Sequence, residues 1–363
     1  MVDILALLQH LNPIMTKTTV GQMSRIICAL LAMSGRVTML GISRWTDEGG
    51  SYRTVQRFFH TTIAWGQVMW HFFYTHLQQA KDEYILAGDE CVVTKSGKWT
   101  HGLDRFFSSL FGKAVPSVAF FALSVISCRE RRSYPVMAKQ VIRTEAEKSD
   151  AKQKAQQKQS QKQPKKRKPG RPKGSKNRNK REVTLTPELR RIGEMIQQLL
   201  ALVGQSMRLT YIALDGHFGN NNALQMVLQS GLHLISKLRY DAALHFLYEG
   251  QDKRRKYGDK IDYANLPSRY LQETTTTDGI RTDIYQAKML HKEFAQPLNV
   301  LIIVKTKLDT GATARVILFA SDLDLAWALL IDYYRLRFQI EFNFRDAKNI
   351  GAWKILWLSR KHL

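Results

Sequence analysis

Apolar residues recur at helical spacing through Ile4, Leu7, Leu8 and Leu11, then through Met23, Ile26, Ile27, Leu30 and Leu31, which predicts helices at the start of the chain. A further helical pattern runs from Val37 to Ile42, breaks at Gly49-Gly50, and resumes from Ser51 to His60 with Ser51 as N-cap. The last of these helices carries Arg53 and Arg57. A short helix, a glycine turn and a basic helix fit a helix-turn-helix DNA-binding unit; a helical bundle with solvated arginines fits equally. From residue 84 the period changes to two. Tyr84 to Asp89 reads as a strand ending in an acid, Val115 to Ser127 as a long strand and Ser133 to Arg143 as a third, together an antiparallel meander. Leu185 to Val203 reads as an amphipathic helix with Thr186 as cap and Glu188 near its start. Met207 to Asp215 is a second strand ending in an acid, Gly219 to Gln229 a helix and Leu232 to Leu238 a strand. Residues 241–318 are polar and β-rich, with strands expected at Arg281 to Met289, Leu298 to Thr306 and Ala314 to Ala320. One long helix is expected from Leu323 to about Asn349.

Charge narrows the class of partner. The formal net charge is +24 over 363 residues, enough to oppose compaction unless a polyanion is bound. Residues 148–181 hold fifteen Lys or Arg against one acid, Asp150, so this stretch alone carries +14 and the rest of the chain +10. Residues 148–182 have almost no apolar side chains and are expected to be a disordered basic linker. Within it, Lys165 to Lys173 reads Lys-Lys-Arg-Lys-Pro-Gly-Arg-Pro-Lys, with Lys168, Arg171 and Lys173 as candidate DNA contacts. It resembles an AT-hook, whose Gly-Arg-Pro centre lies in the minor groove, although Pro169 stands where that motif has arginine. A sequence-blind polycation explains it as well. Cys28, Cys91 and Cys128 have no paired spacing, which argues against disulfides and zinc and fits a reducing, cytoplasmic location. No basic stretch precedes the first apolar residues, and the run Ile26 to Met33 is too short to span a bilayer, so no membrane role is expected.

Two acids close strands: Asp89 in Leu-Ala-Gly-Asp-Glu and Asp215 in Ile-Ala-Leu-Asp-Gly-His. A carboxylate there projects from a rigid element at a sheet's rim, although aspartate also ends strands for turn geometry alone. The last helix adds Tyr334, Arg337, Glu341 and Lys348, which on one uninterrupted helix fall within an arc of roughly 60°. A solvated face with an i,i+4 pair between Arg337 and Glu341 is the plain reading of such a helix. Phosphodiester chemistry gives these residue types a shared purpose. Three carboxylates can hold two Mg²⁺ ions, which supply a nucleophile and relieve charge on the leaving oxygen, beside Arg and Lys on the DNA backbone. Glu90 follows Asp89 directly, so the pleat turns it to the other face; Asp104 is a weaker rival. His101 and His217 read as structural or phosphate-contacting groups rather than metal ligands.

With Tyr334, Arg337, Glu341 and Lys348 at full spacing, and Asp89 and Asp215 in earlier strands, the chain resembles the DDE transposases of bacterial insertion sequences that carry a Tyr-Arg-Glu-Lys signature, the IS-four-like group. The phrases Gly49-Gly50-Ser51-Tyr52-Arg53-Thr54, Thr94-Lys95-Ser96-Gly97-Lys98, His101 to Phe107 and Phe344-Arg345-Asp346-Ala347-Lys348 are similar too, so the resemblance spans about residues 20 to 350. It implies an α/β (α+β) fold with an RNase H-like catalytic core. The implied layout is a helical DNA-binding domain at 1–80, core parts at 81–147 and 183–240, a β-rich insertion at 241–318 and a helix bearing the glutamate at 319–352. It further implies catalysis and metal binding by Asp89, Asp215 and Glu341, with two Mg²⁺ ions that Mn²⁺ can replace. The substrate is double-stranded DNA, cut at element ends and joined to a target by a homodimer. A repressor that binds without cutting and an RNase H-like nuclease are the alternatives. After Lys348 the sequence departs from the group. Residues 353–363 form an atypical tail; if Ala352 to Trp357 is encoded GCT TGG AAG ATT TTA TGG after a G, the shifted frame reads Gly-Leu-Glu-Asp-Phe-Met, so a frameshifted copy is the expectation.

Overall fold

The computed structural model describes residues 3–34, 37–46, 50–95, 97, 99–108, 110–149, 153, 179–252 and 254–349. The N-terminal helices start where a side chain takes up their free N–H groups. Asp3 caps α1 (Ile4–Leu8), Thr16 caps α2 (Lys17–Ala32), Thr38 caps α3 (Met39–Arg44) and Ser51 caps α4 (Tyr52–His60). Their apolar sides, with Val68 of α5 (Trp65–His76), meet in one cluster that includes Met23, Ile26, Ile42, Val55 and Phe58. Arg53 and Arg57 stand exposed on the side of α4 opposite Val55 and Phe58. Further along α5, Trp70 and Phe73 enter a second core, beneath the sheet.

That sheet is built around β1 (Tyr84–Thr94). β1 pairs antiparallel with β3 (Lys113–Ser127), and β3 pairs antiparallel with β4 (Arg132–Val141). On its other edge β1 runs parallel to β5 (Tyr211–Leu214), itself parallel to β6 (His233–Leu238). The order β4-β3-β1-β5-β6, with α6 (Pro187–Val203) before β5 and α7 (Asn221–Gln229) before β6, is the RNase H-like arrangement. Strand alternation sorts the layers. Tyr84 and Leu86 point to the core with Ile192, Ile196 and Leu224 of α6 and α7. Ile85 and Ala87 point the other way, to Leu330 and Tyr334 of α8 (Trp327–Leu336) and Ile340 and Phe344 of α9 (Gln339–Asn349). Gly88 lets these side chains close over β1, because a Cβ there would come within 2.9 Å of both Leu214 and Phe121 and push them aside.

Residues 241–318, where a β-rich insertion is expected, hold β7 (Leu244–Leu247), β8 (Tyr257–Lys260), β9 (Leu271–Thr277), β10 (Ile280–His291), β11 (Leu298–Lys307) and most of β12 (Thr313–Ala320). β12 pairs antiparallel with β6, so these strands continue the same sheet to twelve. The return of β12 to β6 delivers the chain to α8 over the central strands. A 2.6 Å hydrogen bond from Tyr211 Oη to Asp322 fixes that exit against β5.

Two expectations need correction. β2 (Asp104–Ser108) pairs with the start of β3 and adds a hairpin to the expected three-strand meander. Its five residues offer too little alternation to stand out. The single helix expected from Leu323 to about Asn349 is two, α8 and α9, broken at Arg337 and Phe338. There the backbone turns to i→i+3 bonds, with Phe338 N donating to Arg335 O, Ile340 N to Arg337 O and Glu341 N to Phe338 O. Each such step turns the chain further than an α-helical one, so Tyr334 and Glu341 sit on separate helices, with Arg337 at the joint. Neither Pro nor Gly marks the break in the sequence.

Most of the basic segment, with Lys168, Arg171 and Lys173, lies outside the described residues, as does the tail at 353–363 with its expected frameshift. Lys348 belongs to α9, but its side chain is not among those described. No helix among the described residues is long and apolar enough to cross a membrane.

Candidate active site

The register between β1 and β5 sets the first two acids side by side. Gly88 pairs with Leu214, so Asp89 and Asp215 each follow a paired residue. β5 stops at Leu214 while β1 runs on to Thr94, and the strand edge beyond Asp89 opens into a cleft. Asp215 is held by its own turn: its carboxylate accepts from His217 N at 3.1 Å and its carbonyl accepts from Ser236 Oγ at 2.7 Å. Glu341 enters from the first turn of α9, which packs on the Ile85/Ala87 side of the sheet. Asp89, Asp215 and Glu341 thus arrive from three elements and line one cleft of about 1250 Å³, with Glu90, Glu147 and Glu188, and with Arg143, Arg191, Arg345 and His217. That exceeds the 300–1,000 Å³ usual for small-molecule sites and suits a polymer.

Arg337 lies beneath this cleft. Its side chain is only 6% exposed, and its Nη1 donates to Asp89 Oδ2 at 3.1 Å. The guanidinium also stacks 4.4 Å over the Phe338 ring, while its Nε has no partner. Burial pushes the Asp89 carboxyl up to about 6, against the pull of Arg337 and of the Glu90 N–H; the charges of Asp215 and Glu341 add to the rise. Tyr334 is buried, and its phenol is raised by that burial, opposed by Arg337 and helped by Asp215 and Asp89. In the cleft lining His217 Nε2 stands 3.4 Å from Glu188. That contact raises the histidine and lowers the glutamate.

The sequence-derived residues divide accordingly. The three acids, Tyr334 and Arg337 gather at or under the cleft, and Arg337 pairs with Asp89 rather than with Glu341. Arg53 and Arg57 sit apart on α4. Glu90 faces α6, across the strand from Asp89 as its pleat position requires, and burial raises its carboxyl, with Glu188 adding to the rise. Asp104 turns instead to Arg143, 3.6 Å away, and the His101 carbonyl accepts from Gln140. The sequence reading missed Arg143, Arg191 and Glu147, which lie far from the signature and carry no motif of their own. Arg345 was visible only as part of a familiar phrase. Among the described residues no three His, Cys, Asp or Glu side chains stand close enough together to hold a metal ion. The acids share a cleft without closing on a common point.

No curated protein matches the chain with significance. A family model described as DDE superfamily endonuclease matches residues 6–294, a span that contains Asp89 and Asp215 and stops before Glu341. That match takes in most of the chain, and with the RNase H-like order of strands beneath the acids, the protein belongs to the DDE superfamily endonucleases.

Proposed function

We propose that the protein is a DNA transposase that cleaves at the ends of an insertion sequence and joins the freed 3′ end to target DNA, with Asp89, Asp215 and Glu341 as its catalytic carboxylates. The observation that carries this reading is the meeting of those three acids, from three separate elements, at one cleft. The charge of the cleft supports a metal requirement. In a chain with 55 Lys+Arg and 31 Asp+Glu, the lining gathers six carboxylates against three arginines. A phosphodiester cannot settle against that floor without added positive charge. Carboxylate oxygens are the ligands Mg²⁺ prefers, so the donor set fits it, and Mn²⁺ would substitute. Asp89, Asp215 and Glu341 would hold the ions, which when bound supply a strong nucleophile at neutral pH and relieve charge on the leaving oxygen.

The other tasks fall to the protein's own groups. Arg337 holds one oxygen of Asp89 and so orients the carboxylate. Arg143, Arg191 and Arg345 on the walls take backbone phosphates through paired N–H donors. Arg53 and Arg57, exposed on α4 and outside the cleft lining, grip duplex DNA, and Lys348, Lys168, Arg171 and Lys173 add further positive charge for the backbone. Two copies would act on paired ends.

The test is nicking of a duplex copied from the DNA flanking the gene. Cutting should require Mg²⁺, stop with a chelator, and fall to background in Asp89→Asn and in Glu341→Gln. Cutting that survives both substitutions would refute the assignment. Cutting without preference for the flanking DNA would make the protein a nuclease only. The open placement of the acids favours one further reading, a repressor that binds element ends without cutting; tight binding with no metal-dependent nicking would establish it.

A further inference from the structure

β2 and β3 form a hairpin whose end carries no charge from Phe106 to Gly112. Phe107 pairs with Ala114 and Ser108 with Lys113; Phe111 N then donates to Ser108 O, and Gly112 takes φ +61, a left-handed turn that suits glycine. Pleating sends Phe106 inward, 2% exposed, and Phe107 outward, 65% exposed. Leu110 is 85% and Phe111 52% exposed, and Trp99 on the preceding connection is 91% exposed. Single apolar residues in water are ordinary, but several at one hairpin end mark a contact surface.

The position of that end indicates its partner. Phe107, Ser108 and Leu110 line the same cleft as Asp89, Asp215 and Glu341. The root of the hairpin is cationic and braced. Arg105 Nη2 donates to Ala114 O at 2.8 Å, Arg143 Nη1 donates to Arg105 O at 3.1 Å, and the Arg143 guanidinium lies 4.3 Å over the Phe106 ring. Cations at the root suit backbone phosphates, and flat or branched apolar groups at the end can replace a neighbouring base in a stack. A protein partner would account for the apolar end alone, not for cations beneath it or acids beside it. We propose that the end of the β2–β3 hairpin, chiefly Phe107 and Leu110, is a wedge that enters the DNA duplex next to the scissile phosphate and unstacks the base pair there. The freed strand can then lie along the floor of the cleft. This rests on the nuclease reading for where cutting occurs, but not for whether the wedge enters DNA.

The experiment uses the full chain and its Phe107→Ala/Leu110→Ala variant. Both side chains are exposed, so folding is checked by thermal melting and should be retained. With Ca²⁺ in place of Mg²⁺, so that the cleft carries positive charge, a flanking-DNA duplex with 2-aminopurine at the expected cleavage step should brighten with the wild-type chain and stay dark with the variant. With Mg²⁺, the variant should cut the closed duplex roughly tenfold more slowly, as expected for loss of a stacking platform. Two mismatched pairs at that step should reverse most of the defect, so the mismatched-to-closed rate ratio rises about tenfold above that of the wild type. Equal brightening by both chains, or equal rate ratios, would overturn the wedge. A loss of self-association by the variant without DNA, with brightening unchanged, would also overturn it and assign the surface to a second copy. If the wild-type chain cuts neither duplex, the enzymatic reading falls and the fluorescence decides the wedge.

Discussion

Asp89 is pulled in two directions. Burial and the charges of Asp215 and Glu341 favour its neutral form, and Arg337 favours the ionised one. The guanidinium is almost sealed from water, whereas the carboxylate is 21% exposed toward the cleft. Removing one partner of a fully buried pair costs about 3–5 kcal/mol; with one side open, Arg337→Gln should cost about 2 kcal/mol. In Asp89→Asn the guanidinium keeps a hydrogen-bond acceptor but loses its counter-charge. A double-mutant cycle read by urea unfolding should give a coupling of about 1 kcal/mol or more between the two sites. Additive effects would mean that the contact does not hold Asp89 in solution.

Among the elements, caps and long strands could be read from the sequence because their signals are local. Ser51 and Thr186 begin helices as their hydroxyls predict, and β3 follows the apolar run expected from Val115 to Ser127. The pairing of Arg337 with Asp89 spans 248 positions, and no local pattern encodes it. The break between α8 and α9 is equally silent, since it arises where Arg337 is drawn inward and Phe338 stays out. The joint between the first helices and α5 was also invisible in sequence. His76 Nε2 stands 2.8 Å from His10 Nδ1, and His71 stacks on His10 at 5.4 Å. Burial lowers the His10 pKa below 6.5, the Leu7 carbonyl opposes the shift, and His76 and His71 reinforce it. Between the depressed and the ordinary value the unfolded chain binds more protons, so stability rises with pH there and is lost on acidification. The melting temperature of the wild type should therefore fall, relative to that of His10→Gln, as pH drops from above to below 6.5. A gap between the two that does not change with pH would show that this cluster does not titrate with folding.

At the scale of the whole molecule, the acids are the local exception to a surplus of +24. On the proposed reading, the surplus would attract DNA at long range, while the acidic cleft would refuse a phosphate until cations arrive. Attraction and chemistry would then be separated in space, and salt would distinguish them. Binding of duplex DNA without Mg²⁺ should weaken steeply with salt, because each phosphate contact releases close to one counterion. If α4 is one of the gripping surfaces, Arg53→Ala/Arg57→Ala should reduce the slope of log K against log salt by about two, one for each lost contact. Melting should be unchanged, since both side chains point away from Val55 and Phe58. Nicking measured at saturating protein should also persist, because neither arginine lines the cleft. An unaltered slope would make α4 a structural helix with solvated arginines and leave the grip to other parts of the basic surface.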